Sequence, residues 1–205
     1  MNPIRTNYGG CRFRSRIEAR WAVFFDHLDL KWEYESQGFI VGRPFRRPRP
    51  YLPDFYLPEL GLYMEIKPAY ADRVDPDGVS RWEDFAGEVA TEWDHGRAMM
   101  SCGPIPNPAK VGRSGPPPEG ERYEPYGPWA RYDEGIYAIG GGYFAWCSCP
   151  SGRHFDVEEN ARGGRIFCGC PRLQSDQYRT GDDVRILHAY EAARKASFER
   201  GETAH

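Results

Sequence analysis

The sequence predicts an α/β (α+β) fold: a mixed sheet flanked by helices, followed by a small C-terminal module organised around cysteines. Three observations carry that expectation. Residues 14–26 form an amphipathic run with helical spacing. Residues 51–57 and 63–67 are short apolar, aromatic runs separated by Pro58-Glu59-Leu60-Gly61, the composition of two strands about a turn. Residues 80–95 then read as a helix and residues 97–102 as a buried strand, which completes a β-β-β-α-β order.

In the first helix, Ile17, Trp21, Phe24, Phe25 and Leu28 fall on one face. Ser15-x-x-Glu18 is a capping box, in which Glu18 is expected to reach back to the Ser15 amide. Residues 31–35 read as a strand. Residues 38–50 are rich in Arg and Pro, and proline blocks central pairing, so a loop is expected there. Residues 71–78 carry Asp-Pro and Asp-Gly turn signals. Trp82, Phe85, Val89 and Trp93 form the inward stripe of the next helix. Residues 103–128 hold many Pro and Gly and read as an irregular linker. Residues 136–140 and 142–146 look like a hairpin, and residues 150–157 like a turn followed by a strand. Residues 182–200 close the chain as a helix capped by Asp182 or Asp183, with Ile186, Tyr190, Ala193 and Ser197 inward. The expected domains are a core at 1–105, a linker at 106–135 and a module at 136–205.

The chemistry concentrates in the strand pair. Side chains alternate along a strand, so Glu65 and Lys67 point one way and Ile66 points into the core. Asp54, on the neighbouring strand, can meet them. Two hard oxygen ligands beside an ammonium suit Mg²⁺ or Mn²⁺, which favours carboxylates and retains water. Such a metal, with a lysine to orient or deprotonate a water, has the parts needed to hydrolyse a phosphodiester. A surface ion pair between Glu65 and Lys67 is the plainer reading of the same residues.

Pro53-Asp54, Glu65-Ile66-Lys67 and the upstream Glu18 together resemble the PD-(D/E)XK nuclease superfamily, over roughly residues 8–105. The wording around residues 14–26, with Pro53-Asp54-Phe55 and Met64 to Pro68 downstream, is similar to compact nuclease-like proteins of actinobacteria and their phages. The resemblance implies a restriction-endonuclease-like sheet and metal-dependent cleavage of DNA, less often RNA. It implies that Asp54, Glu65 and the Ile66 carbonyl hold the metal, that Lys67 serves the attacking water, and that Glu18 assists. Glu18 reads equally well as a helix cap alone.

Four of the six cysteines form close pairs, Cys147-Ser-Cys149 and Cys168-Gly-Cys170. Intracellular proteins rarely use such pairs as disulfides, whereas four thiolates suit a closed, structural Zn²⁺ site. The single intervening residue departs from the commoner spacing of two to four. The chain carries a net charge of −3, which does not mark a nucleic-acid binder. Residues 1–50, however, hold ten Lys and Arg against five Asp and Glu. Arg43, Arg46, Arg47 and Arg49 in the Pro-rich stretch are therefore the expected DNA-backbone contacts. No long apolar run or signal-peptide core is present, so a soluble, cytoplasmic protein without a membrane partner is expected. A homodimer, or a non-cleaving subunit of a phage or mobile-element nucleoprotein complex, stays open as an alternative.

Overall fold

The structure, a computed structural model, describes residues 4–42, 47–68, 75–92, 97–105, 107–108, 129–133, 144–148, 155–159 and 183–198. The chain divides into two compact units. Unit 1 comprises residues 1–29, 104–129 and 143–205; unit 2 comprises residues 30–103 and 130–142. This grouping cuts across the boundaries read from sequence, because residues 1–29 join the C-terminal segment. The described residues form small sheets and three helices, a mixed α/β architecture as the periodicities suggest.

Unit 2 is built on strands β3 (Glu33–Tyr34), β6 (Phe55–Leu57), β7 (Leu62–Lys67), β8 (Arg97–Cys102) and β9 (Trp129–Asp133), in the order β3-β6-β7-β8-β9. The β6–β7 pair is antiparallel about residues 58–61, as the turn residues predict. The β7–β8 pair is parallel, with Leu62 opposite Arg97 and Lys67 opposite Cys102. Parallel neighbours need a crossover, and helix α2 (Pro76–Glu92) supplies it. Trp82, Phe85 and Ala86 of α2 pack in one cluster with Tyr63, Ala98 and Met100 of the sheet. Leu62, Met64 and Ile66, which alternate with Tyr63, Glu65 and Lys67, are buried as well. A central strand covered on both faces reads as a continuous apolar run, as β7 does apart from its charged residues.

Three expectations are corrected here. Residues 38–50 are not loop throughout: β4 (Phe39–Val41) and β5 (Arg49–Tyr51) pair antiparallel, with Ile40 opposite Pro50. Proline is tolerated because, among the described residues, this two-stranded arm has no further strand demanding its missing N–H. The turn signals before α2 are in fact its start. Asp75 Oδ1 accepts from the Gly78 N–H at 3.0 Å and Pro76 opens the helix, the arrangement of an N-cap followed by an N1 proline. The strand expected at 31–35 is only two residues long. Trp82 and Phe85 are buried as expected, while the side chains of Val89 and Trp93 lie outside the described residues.

In unit 1, β1 (Thr6–Tyr8) and β2 (Cys11–Phe13) form a hairpin closed by Gly9 and Gly10. Both glycines have positive φ, at 55° and 79°, which a two-residue loop of the I′ type requires. Helix α1 (Arg16–His27) is capped by Ser15 and buries Trp21, Phe24 and Phe25. Helix α3 (Val184–Lys195) is capped by Asp183 and buries Ile186, Tyr190 and Ala193, while Ser197 is exposed. The two helices meet through aromatic rings, Phe24 to Tyr190 at 4.6 Å and Trp21 to Tyr190 at 6.3 Å. Strand β10 (Phe144–Ser148) pairs with β11 (Phe155–Glu159), so residues 144–148 take their partner from the later strand. The expected partner at 136–140 lies outside the described residues, as does the linker at 109–128. No described helix is long and apolar enough to cross a membrane.

Candidate active site

The strand pair places the expected residues at one end of the sheet in unit 2. The β6–β7 register runs Leu57↔Leu62, Tyr56↔Tyr63, Phe55↔Met64. Asp54 immediately precedes β6, as Glu65 follows Met64, the register partner of Phe55. Both carboxylates are buried, at 2% and 5% exposure. Burial of a carboxylate demands strong partners, and each has them. Asp54 Oδ2 accepts from the Ile66 N–H at 2.7 Å. Glu65 Oε2 accepts from the Tyr51 hydroxyl at 2.8 Å, and Glu65 Oε1 lies 3.0 Å from Lys67 Nζ. Lys67 sits at the strand's end, where its ammonium also reaches Asp75 Oδ2 at 3.2 Å.

The charges on Lys67 and Asp75 explain one another. Burial pushes the Lys67 ammonium down, but the carboxylates of Glu65 and Asp75 outweigh it and hold the group above the ordinary lysine range. For Asp75, slight burial pushes up, while the Gly78 N–H and the Lys67 and Arg81 charges pull it below the usual carboxylate range. Lys67 is thus a fixed cation in this arrangement.

Two members of the network were not legible as site residues in the sequence. Tyr51 opens the Pro53-Asp54 motif, and its ring packs on Phe85 at 4.9 Å, which fixes the hydroxyl against Glu65. Asp75 was read as a turn residue. An Asp-Pro step before a helical stripe was the signal that could have found it, since that pairing marks a cap. Asp75 therefore does two things at once: it starts α2 and it holds the lysine.

The remaining expected residues fall elsewhere. Glu18 stands in unit 1, where its amide donates to Ser15 Oγ at 3.3 Å. Its carboxylate accepts from the Ser15 hydroxyl at 2.6 Å and from the Arg14 N–H at 3.0 Å, not from the Ser15 amide as the capping box suggests. Arg49 is engaged by α2, with Asp77 at 2.7 Å, Asp84 at 2.9 Å and Ser80 at 3.4 Å. Since Asp84 is buried, that guanidinium neutralises a charge within the unit. Together with the Gly42 N–H donating to Glu88 at 2.8 Å, it straps the β4–β5 arm to α2. Arg47 is exposed, and Arg43 and Arg46 lie outside the described residues. Cys149, Cys168 and Cys170 also lie outside them, and Cys147 is described only as backbone in β10. Among the described residues, no three His, Cys, Asp or Glu side chains gather as a metal site. Comparison of the chain with protein families, with curated proteins and with solved structures finds no match.

Proposed function

We propose that the chain is a metal-dependent nuclease that hydrolyses phosphodiester bonds, of DNA in the first instance, on a restriction-endonuclease-like sheet. The observation that supports it best is buried Asp54, just before β6 and bonded to the Ile66 N–H of β7, beside buried Glu65, with Lys67 3.0 Å from Glu65. The antiparallel strands, crossover helix and parallel strand of unit 2 follow the chain order that the periodicities predict, and this supports the reading.

The donor set fits a hard cation with few protein ligands. Asp54 and Glu65 would hold Mg²⁺ or Mn²⁺, with the Ile66 carbonyl as the resemblance implies, and water and phosphate oxygens would fill the rest. Bound there, the cation would supply Lewis-acid stabilisation of charge on the phosphate and a more acidic water. The chain's own residues supply orientation. The Ile66 N–H fixes the Asp54 carboxylate, and the Tyr51 hydroxyl fixes Glu65. Lys67, a cation with three donors, is suited to aim a water or to meet the developing negative charge. Water adds to phosphorus and the bond to O3′ breaks, leaving a 3′-hydroxyl and a 5′-phosphate. A structural Zn²⁺ on Cys147, Cys149, Cys168 and Cys170 belongs to the same proposal and rests on the cysteine spacing alone.

One observation favours a second reading, a non-cleaving binding subunit. Lys67 is already engaged by both Glu65 at 3.0 Å and Asp75 at 3.2 Å. Incubating purified protein with labelled single-stranded, double-stranded and branched DNA, with Mg²⁺, Mn²⁺ or EDTA, separates the two. Metal-dependent products that EDTA abolishes support the nuclease; binding without products supports the subunit.

A further inference from the structure

The β4–β5 arm meets the candidate active site and α2 at once, through two residues of one strand. Side chains two apart in a strand share a face, so Arg49 and Tyr51 of β5 point the same way, while Pro50 between them is exposed. Tyr51 ends at Glu65, where its hydroxyl donates to Oε2 at 2.8 Å. Arg49 ends at α2. Its guanidinium reaches Asp77 Oδ1 at 2.7 Å, Asp84 Oδ2 at 2.9 Å and the Ser80 hydroxyl at 3.4 Å. Asp77, Ser80 and Asp84 stand three and then four residues apart, on one face of that helix.

The two ends are mechanically linked. The Tyr51 ring packs on Phe85, the neighbour of Asp84, with centroids 4.9 Å apart. Val41, the register partner of Arg49, joins Tyr51 and Phe85 in one buried cluster. A planar guanidinium that meets several oxygens fixes orientation as well as distance, so this clamp holds β5 against α2 in one register. Tyrosine turns about only two side-chain torsions, so the place of its hydroxyl follows the place of its backbone. The Arg49 side chain is 25% exposed and that of Asp84 1%, so solvent screens little of their attraction.

We propose that Arg49 is a positioning residue for Glu65, acting through Tyr51. The clamp on α2 sets where β5 lies, and β5 sets where the Tyr51 hydroxyl stands. That hydroxyl holds Glu65 Oε2, while Oε1 faces Lys67 at 3.0 Å. Arg49 is therefore engaged within unit 2, and its role differs from the backbone contact that its Arg-rich stretch suggests. The hold on Glu65 stands on geometry alone; its consequence for cleavage rests on the nuclease reading.

The test follows the Tyr51 hydroxyl proton by NMR in metal-free, full-length protein, and then cleavage of a labelled DNA duplex in Mg²⁺. Wild type should show a slowly exchanging hydroxyl resonance that Tyr51→Phe removes. Arg49→Lys keeps the charge but loses the fork, and should broaden that resonance. Asp84→Asn weakens the clamp from the helix side and should do the same, so either variant can be read if the other fails to fold. Tyr51→Phe should lower kcat about ten-fold and Arg49→Lys about three-fold, with KM and the salt slope of duplex binding unchanged. Arg49→Lys/Tyr51→Phe should be no slower than Tyr51→Phe alone, because the clamp then has no hydroxyl left to place. A resonance absent from wild type or unaltered by both clamp substitutions, or rate losses that multiply in the double variant, would overturn the proposal. So would an Arg49→Lys protein that keeps its kcat while its salt slope falls by about 0.9, the mark of a lost backbone contact. A wild type that cuts nothing, with the resonance still dependent on Arg49 and Asp84, would sink the nuclease reading and leave the hold on Glu65 in place.

Discussion

In unit 2, Glu65 meets Lys67 at 3.0 Å and the Tyr51 hydroxyl at 2.8 Å, and Arg49 meets buried Asp84 at 2.9 Å. In unit 1, Arg20 is half-buried, with its Nε buried and unpartnered among the described residues. Closed pairs hold their groups in one geometry before anything binds, which is what a site for chemistry needs. The two units therefore differ in how their charged groups are held: unit 2 gives its buried carboxylates charged and hydroxyl partners, while unit 1 leaves the Arg20 Nε without a hydrogen-bond partner among the described residues.

The largest expected effect falls on the two buried carboxylates. Asp54→Asn and Glu65→Gln should each lower metal-dependent cleavage by about a thousand-fold, because neither amide is a comparable ligand for a hard cation. Asp54→Asn should stay folded, since an amide oxygen can still accept from the Ile66 N–H. Wild-type cleavage by either variant, in protein free of contaminating nuclease, removes the assignment and with it the contrast between the units.

The cysteines come next. Elemental analysis should find about one Zn²⁺ per chain, and its removal should loosen the segment around residues 143–172, because the free energy of metal binding contributes to folding of the segment that supplies the ligands. Trp146 packs 5.4 Å from Phe24, so tryptophan fluorescence should report the loss. Unit 2, with its own buried cluster, should melt as before. Zinc-free protein whose four thiols all react in the native state would show that the pairs hold no metal.

A smaller effect should separate the two roles of Asp75. Lys67→Met should cut cleavage about a hundred-fold, since it removes the cation that Glu65 and Asp75 hold. Asp75→Asn keeps an N-cap and loses only the charge facing Lys67; Asp75→Ala loses both and should destabilise by about 1 kcal/mol. The expected signature is a kcat lowered several-fold in both variants, with a lowered melting temperature in the alanine variant alone. Unchanged kcat in both would reduce Asp75 to a helix cap.

How far the sequence was legible follows from the range of each signal. Period-two and period-3.6 patterns act over a few residues, and they located β6, β7, β8, α1 and α3. The same local logic foresaw that Glu65 and Lys67 would share a face. What it missed was either ambiguous locally or distant. Asp75-Pro76-Asp77-Gly78 serves a turn or a helix start equally well until the neighbours decide. Tyr8-Gly9-Gly10-Cys11 carried a hairpin signal that the expectation passed over. Arginine-rich residues 43–49 looked like one basic patch because composition cannot show that Arg49 would find Asp84, 35 positions later. The contact of Phe24 with Tyr190 is a tertiary fact that neither helix's own pattern contains.

The smallest effect concerns the other end of α3, where unit 1 does balance its charge. The Arg185 side chain donates to the Asp183 carboxylate, and against slight burial this, with Ser148 and the Arg185 amide, holds the carboxyl down at about 2. A depressed carboxylate stabilises the fold above the ordinary Asp value, about 3.9, and that stability fades as the pH falls toward the folded value. The Arg185 side chain is 44% exposed, and solvent around it screens the pair, so the loss should stay below about 1 kcal/mol. Asp183→Asn retains a capping oxygen for the Arg185 N–H but cannot titrate. The variant should therefore lose less melting temperature than wild type between about pH 4 and pH 2. Identical acid profiles for Asp183→Asn and wild type would mean that the start of α3 is held by its packing on α1 and not by charge.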